Sequence, residues 1–111
     1  MRQWEIRDFP FPSPAQPHPF VVISPDLIAA NDDITQVNAL LCVSVRGDYK
    51  PKPRDVRLNG SNGLDGPTVV RCHFVHGLAK EHFGPVRGLV TAVRRRAIGK
   101  TINLSFGFQN V

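Results

Sequence analysis

The prolines set the first limit on what this chain can form. Ten prolines and nine glycines in 111 residues are many for the length, and they predict short elements joined by tight turns. Five of the prolines lie between Pro10 and Pro19, which predicts an extended, stiffened loop in place of a central strand or a helix. We expect this loop to act either as a rigid connector or as a rim that presents His18.

Short apolar runs between polar loops predict strands, and no second domain is indicated within residues 1–111. The predicted strands are residues 3–9, 20–24, 37–45, 55–58, 69–72 and 88–90. The run at 37–45 is the longest and is therefore the best candidate for the central strand. These elements predict a mainly β domain, a small and strongly bent antiparallel barrel.

A single helix is expected at the C-terminal end of this barrel, from residue 91 to about residue 105. Val93, Ala97, Ile98 and Ile102 form one apolar stripe at helical spacing. Thr91 is placed to cap the start of the helix through its hydroxyl.

The net charge of +5 and a sequence pI near 9.9 favour a polyanionic partner, with nucleic acid first. No apolar run approaches the eighteen residues or so of a membrane span, and no signal peptide is evident. We therefore expect a soluble, cytoplasmic protein without a membrane partner. Cys42 and Cys72 lie in apolar runs, which predicts buried, reduced thiols and no disulfide.

The residues best suited to chemistry follow the strand at 69–72. Arg71 and His73 are two positions apart, so strand alternation would point both to one face. A fixed cation beside a group that titrates near neutral pH suits phosphate chemistry. The alternative, a surface strand with polar residues on its wet side, stays open. A zinc site is not expected, because the spacing of Cys72 and the histidines matches no tight ligand motif.

Three stretches together resemble the MazF/PemK (Kid) family of toxins. Residues 17–25 are similar to its arginine–proline step and the apolar strand that follows. Residues 63–75 are similar to its glycine–leucine turn and a strand that ends in cysteine–aspartate–glutamine. Residues 88–90 and 102–107 are similar to its final strand and helix. The resemblance implies an SH3-like barrel, a homodimer and a metal-independent endoribonuclease that cuts single-stranded RNA under the control of a cognate antitoxin.

Several of the family's site residues are replaced in this chain. His18 matches the loop arginine, His73 matches the strand aspartate, and Ser44 only loosely matches the threonine or serine that ends the central strand. Arg71 matches the strand arginine. Cleavage by the RNA 2′-hydroxyl needs a base, an acid and a cation, but no cofactor. The expected catalytic set is His73 as base, His18 as acid and Arg71 as phosphate clamp, and the expected substrate-binding residues are Arg46, Ser44 and Lys50.

A second toxin class gives a non-enzymatic alternative. The ending Ile102-Asn103-Leu104, followed by Phe106-Gly107-Phe108, is similar to the C-terminal end of the gyrase-binding toxin CcdB. In that case the partner would be DNA gyrase. A third alternative is a degenerate family member that only binds RNA or a partner protein.

Overall fold

A computed structural model describes residues 1–108, without the side chain of Ser61. In this range the chain forms seven strands and two α-helices. The strands are β1 Glu5–Ser13, β2 Gln16–Val22, β3 Gln36–Ser44, β4 Asp55–Leu58, β5 Thr68–Arg71, β6 His76–Ala79 and β7 Val86–Leu89. The helices are α1 Asp26–Ala29 and α2 Ala92–Phe106. Short 3₁₀ turns lie at Gly60–Asn62 and Lys80–His82. None of the helices in residues 1–108 is long and apolar enough to cross a membrane.

The strands form one curled antiparallel sheet in the order β4-β5-β3-β2-β1-β7, with β6 also paired to β3. β3 is central, as its long apolar run predicts. Residues 39–41 of β3 pair with β2, residues 42–44 pair with β5 and residues 36–39 pair with β6. The predicted mainly β domain with a C-terminal helix is therefore confirmed. β6 was not predicted.

The core lies between one face of the sheet and α2. Its buried members come from nearly every strand, and they include Ile6, Val21, Leu40, Val70 and, from α2, Ile98. Alternation along β4 gives Val56 and Leu58 to the core and leaves Asp55 and Arg57 on the opposite face, whereas β5 is buried from Thr68 to Val70 and only Arg71 is partly exposed. The core thereby fixes which residues of β4 and β5 are available to a site.

The start of α2 differs from the prediction in two ways. Val93 is 69% exposed, because at 3.6 residues per turn it lies about 140° around the helix from the buried Ile98. Thr91 is the N-cap residue, but its side chain makes no capping hydrogen bond. The buried side chain of Asn62 acts in its place, since its Oδ1 accepts the Thr91 backbone N–H at 2.8 Å.

The proline-rich stretch is a β-hairpin, which corrects the predicted loop. Pro10 lies within β1 and Pro19 within β2, and the two strands pair along their length with a bulge. β1 pairs with β7 only at residues 5–7, and β2 pairs with β3 only at residues 20–22. Beyond these points the hairpin is a two-stranded arm whose outer edges have no strand partner in residues 1–108. Proline is tolerated there because an unpaired edge does not need its missing N–H.

The C-terminal end lies partly outside the described range. Within that range, the rings of Phe106 and Phe108 stack with centroids 5.5 Å apart at the end of α2. Residues 109–111 lie outside the described residues.

Candidate active site

A buried carboxylate and a guanidinium lie opposite each other on β4 and β5. Asp55 pairs with Arg71 in the antiparallel register, and the Asp55 side chain is 2% exposed against 36% for Arg71. Nε of Arg71 lies 3.9 Å from Oδ1 of Asp55, which is too far for a hydrogen bond, and this buried Nε has no other partner within the described residues. Asp55 therefore attracts the guanidinium by charge. The Nη atoms of the partly exposed Arg71 side chain donate no hydrogen bond within the described residues, so they are the atoms available to a second anion.

Tyr49 and Lys52 fix the Asp55 carboxylate from the loop between β3 and β4. The Tyr49 hydroxyl and the Lys52 backbone N–H both donate to Oδ2 of Asp55, the latter over 3.1 Å. The hydrogen bond to Asp55, and after it burial, raises the pKa of Tyr49, so the phenol stays protonated. The Tyr49 carbonyl accepts from Nη2 of Arg57 at 2.7 Å. These contacts fasten the loop to the strand that carries Asp55.

His73 lies in a turn after β5. Because β5 ends at Arg71, strand alternation does not set the direction of the His73 ring, contrary to the prediction. Burial, and after it the charges of Arg54 and Arg71, lowers the pKa of His73. Its Nδ1 atom is buried and has no hydrogen-bond partner within residues 1–108. A neutral imidazole of this kind can accept a proton near neutral pH, as a general base must.

Four exposed cations lie on the loop between β3 and β4 that contacts Asp55. Arg46 and Lys50 lie on the loop that Tyr49 anchors, and Lys52 and Arg54 follow them, all with exposed side chains. We call residues 45–54 the basic loop. The Arg46 carbonyl accepts the Tyr49 backbone N–H at 2.9 Å, which closes a turn within the loop. The basic loop thus gives the Arg71 side of the sheet a positive potential suited to phosphate groups.

His18 is held by the hairpin arm. Its Nδ1 lies 2.7 Å from the carbonyl oxygen of Phe11 and 3.1 Å from that of Gln16. Because carbonyl oxygens only accept, Nδ1 carries the hydrogen and Nε2 is the nitrogen left to exchange a proton with another molecule.

His18 and Ser44 line an open cavity of about 440 Å³. Thr68, which pairs with Ser44, and Arg87 of β7 also line it. Arg87 forms ion pairs with Asp8 at 3.0 Å and with Asp65 at 3.2 Å. The cavity is therefore lined by the hydroxyl groups of Ser44 and Thr68, the imidazole of His18 and the partly neutralised guanidinium of Arg87.

The structure places the predicted site residues in two groups. Arg71 and His73 lie at the end of β5 near Asp55, whereas His18 and Ser44 line the cavity. Strand alternation explains the division, since Thr68 and Arg71 are three positions apart on β5 and point to opposite faces. The basic loop meets the first group through Arg54, whose charge acts on His73, and through the bonds of Tyr49 and Lys52 to Asp55. Within the described residues, the side chains of Arg46 and Lys50 form no hydrogen bond or ion pair with either group.

Sequence analysis did not identify Asp55, Tyr49 or Arg87. A signal for Asp55 was present, because the alternation of Val56 and Leu58 toward the core leaves Asp55 on the opposite face. No pattern marks Arg87, since its two carboxylate partners are 79 and 22 residues away in the chain.

The cysteines do not contribute a nucleophile. Cys42 and Cys72 are both buried and free, which confirms the expectation of core thiols. Burial raises the pKa of Cys42, and burial together with the Asp55 charge raises that of Cys72 to about 12. Neither thiol is therefore ionised near neutral pH. Within residues 1–108, no three His, Cys, Asp or Glu side chains are grouped so as to hold a metal ion.

Comparison with solved structures finds MazF toxins. The Mycobacterium tuberculosis toxin MazF-mt6 is 20% identical, with a TM-score of 0.78 over 93% of this chain and 96% of that chain. An endoribonuclease from a mycobacterial species, solved with its cognate antitoxin, is 18% identical, with a TM-score of 0.79 over 96% and 95% of the two chains. The MazE–MazF complex of Deinococcus radiodurans is 18% identical, with a TM-score of 0.76 over 96% and 95%. No family model and no curated protein matches the sequence.

These likenesses establish the fold. The chain has the MazF fold, which confirms the predicted SH3-like barrel and the resemblance on which it rested. None of these three structures is a gyrase-binding toxin, and the CcdB-like character of the C-terminal end is not confirmed.

Proposed function

We propose that this chain is a toxin-like endoribonuclease that cuts single-stranded RNA without a metal ion. The observation that carries the proposal is the proximity of His73, whose pKa is lowered by burial and by the charges of Arg54 and Arg71, to the partly exposed guanidinium of Arg71. The MazF fold supports it, because two of the solved structures with this fold are an M. tuberculosis MazF toxin and a mycobacterial endoribonuclease.

The proposed reaction is an internal transfer at phosphorus. His73 takes the proton of a 2′-hydroxyl, and that oxygen attacks the adjacent phosphorus. The bond to the 5′-oxygen breaks, and His18 gives that oxygen a proton through Nε2. The products are a cyclic 2′,3′-phosphate and a 5′-hydroxyl end. Arg71 stabilises the charge that develops on the phosphoryl oxygens, because its planar fork donates two hydrogen bonds.

The remaining predicted residues act in binding. Arg46 and Lys50 of the basic loop neutralise phosphates beside Arg71. Ser44 binds RNA in the cavity that holds His18. Because the cavity and the Arg71 group are separate in one copy, the acid and the base reach one phosphate only if a second copy of the chain brings its His18 to the Arg71 group. The proposal therefore includes a homodimer.

A cognate antitoxin is the second proposed protein partner, and we place both proteins in the cytoplasm with their RNA. Two of the structures with this fold are complexes with an antitoxin or with MazE. The net charge of +5 suits an acidic partner segment that competes with RNA for the basic loop.

The test is cleavage of a long single-stranded RNA in the presence of EDTA. Wild-type protein is expected to give defined fragments that end in a cyclic phosphate. His73→Ala is expected to slow cleavage by about 10²–10⁴-fold, the range for a general base. His82→Ala is the matched control, since His82 is an exposed histidine whose ring pairs with Glu81 on the surface.

Two outcomes would overturn the proposal. Intact RNA with wild-type protein at every pH from about 5 to 8 would exclude the nuclease. If the same protein binds the RNA without cutting it, the degenerate-binder alternative takes its place. Cleavage by His73→Ala at the rate of the His82→Ala control would remove His73 from the mechanism.

A further inference from the structure

The residue after His73 is an exposed aromatic side chain that the proposed chemistry does not use. Phe74 is 62% exposed, whereas Phe20 is fully buried. Phe9, Phe20 and Phe83 pack in an aromatic group near the hairpin arm, but Phe74 is not part of it. The only ring contact of Phe74 within residues 1–108 is with His73, at a centroid distance of 4.3 Å and an angle of 46°. Most of this ring therefore faces water beside the proposed base.

An isolated exposed phenylalanine is common and does not by itself mark a site. The charge around Phe74 is the second observation. The charges of Arg54 and Arg71 both lower the pKa of the neighbouring His73; Arg54 is exposed, and the Arg71 side chain is 36% exposed with no hydrogen bond from its Nη atoms within the described residues. A flat aromatic face next to unfilled cationic donors is the combination with which proteins bind single-stranded nucleic acid: cations take the phosphates and the ring takes a base.

We propose that Phe74 is a stacking platform for one nucleobase of the RNA strand whose phosphate binds Arg71. The site would take an unpaired base, because a base within a duplex has both faces covered by its neighbours. Stacking makes no hydrogen bond to a base edge, so Phe74 adds affinity for single strands and little preference for sequence. This inference rests on the proposed function, since it assigns a subsite to the same RNA.

The test measures the contribution of one base to binding, apart from the contribution of the phosphates and apart from cleavage. The probes are single-stranded oligonucleotides with 2′-O-methyl groups, which cannot be cut because the attacking hydroxyl is blocked. One abasic position is moved along the strand. With wild-type protein, one position is expected to weaken binding by about 5- to 100-fold, the range for loss of a stacked base. Phe74→Ala is expected to bind the intact strand as weakly as wild-type protein binds the strand with the sensitive abasic position. With this variant, the abasic position is expected to cause no further loss of affinity.

Two substitutions distinguish stacking from apolar contact. Phe74→Trp, which keeps an aromatic face, is expected to retain wild-type affinity and the dependence on that position. Phe74→Leu, which keeps apolar surface without a π face, is expected to lose both. Phe74→Ala is also expected to leave the dependence of binding on salt unchanged, because it removes no phosphate contact, whereas Arg71→Gln should reduce the slope by about one unit.

The control is Phe108→Ala, because Phe108 is a similarly exposed phenylalanine, 57%, beyond the end of α2. It is expected to bind every probe as wild type does. If wild-type protein binds no probe, both the stacking subsite and the proposed function fail. If wild-type protein binds the probes, but every abasic position lowers its affinity no more than it lowers that of Phe74→Ala, the stacking subsite alone is refuted. A change in oligomeric state on size-exclusion chromatography, without a change in that position dependence, would assign Phe74 to a protein contact and overturn the inference.

Discussion

Replacing Gly88 by alanine is expected to disrupt the contact between β7 and the loop that follows β4. A Cβ atom on Gly88 would lie 2.0 Å from the carbonyl oxygen of Asn62 and 3.0 Å from Cα of Gly63. Both are backbone atoms, so no side-chain rotation can relieve the overlap. The loop and the strand would have to separate, and Arg87, which forms the ion pairs at the His18 cavity, would move with the strand.

The expected cost follows from the overlap. Overpacking a well-packed site costs about 1–3 kcal/mol, and the upper end applies here because the obstacle is rigid backbone. With a urea m-value of roughly 1–3 kcal/mol per M, a loss of about 3 kcal/mol lowers the unfolding midpoint by about 1–3 M. Urea unfolding followed by circular dichroism measures this directly.

Gly99→Ala is the matched control for this experiment. Nothing lies within 4 Å of a Cβ at Gly99, and the residue is inside α2. Alanine there is expected to raise the free energy of unfolding by about 1 kcal/mol through helix propensity alone. If Gly88→Ala changes the free energy of unfolding by less than about 0.5 kcal/mol, as an ordinary surface substitution does, the close approach of the two backbones is refuted.

Three further predictions concern the site and the helix start. Arg54→Gln removes a charge that lowers the pKa of His73, so this pKa should rise and the acid limb of the pH profile of kcat/KM should move to higher pH. An acid limb at the wild-type pH would contradict this. Asp55→Asn keeps the shape but removes the charge that attracts the Arg71 guanidinium, and cleavage should fall by roughly 10- to 100-fold with an unchanged circular dichroism spectrum. Asn62→Ala leaves the backbone N–H at the start of α2 unpaired and should lower the free energy of unfolding by about 1–3 kcal/mol; a urea midpoint equal to wild type would exclude this cap.

The sequence could predict the parts of the fold that depend on local patterns, namely the alternation of apolar residues and the length of apolar runs. Alternation placed the strand at Asp55–Leu58 without error, and the long apolar run identified β3 as central. The hairpin arm was missed because proline rules concern paired edges, and which edges are paired depends on where β7 and β3 end.

The candidate site also has residues that local patterns predict and residues that depend on long-range strand pairing. The strand and its end predict Arg71 and His73 as site residues, and this stays a prediction. The cross-strand partner of Arg71 could not be predicted, because the register that sets Asp55 opposite it depends on the intervening loop. The separation of His18 from Arg71 likewise has a long-range part: alternation sets Thr68 and Arg71 on opposite faces of β5, but only the pairing of β3 with both β2 and β5 brings Thr68 to the His18 cavity.

The prolines of the hairpin arm have a consequence for how the molecule behaves in solution. Where the arm extends beyond its neighbouring strands, the outer edges of β1 and β2 have no strand partner within the described residues. Such unpaired edges can pair with strands of other molecules, which leads to aggregation. Pro10 and Pro19 lie where β1 and β2 have left their outer neighbours. Since a proline cannot donate to an added strand, it blunts the edge it occupies. The same residues that stiffen the arm around His18 thus protect an opened sheet from self-association.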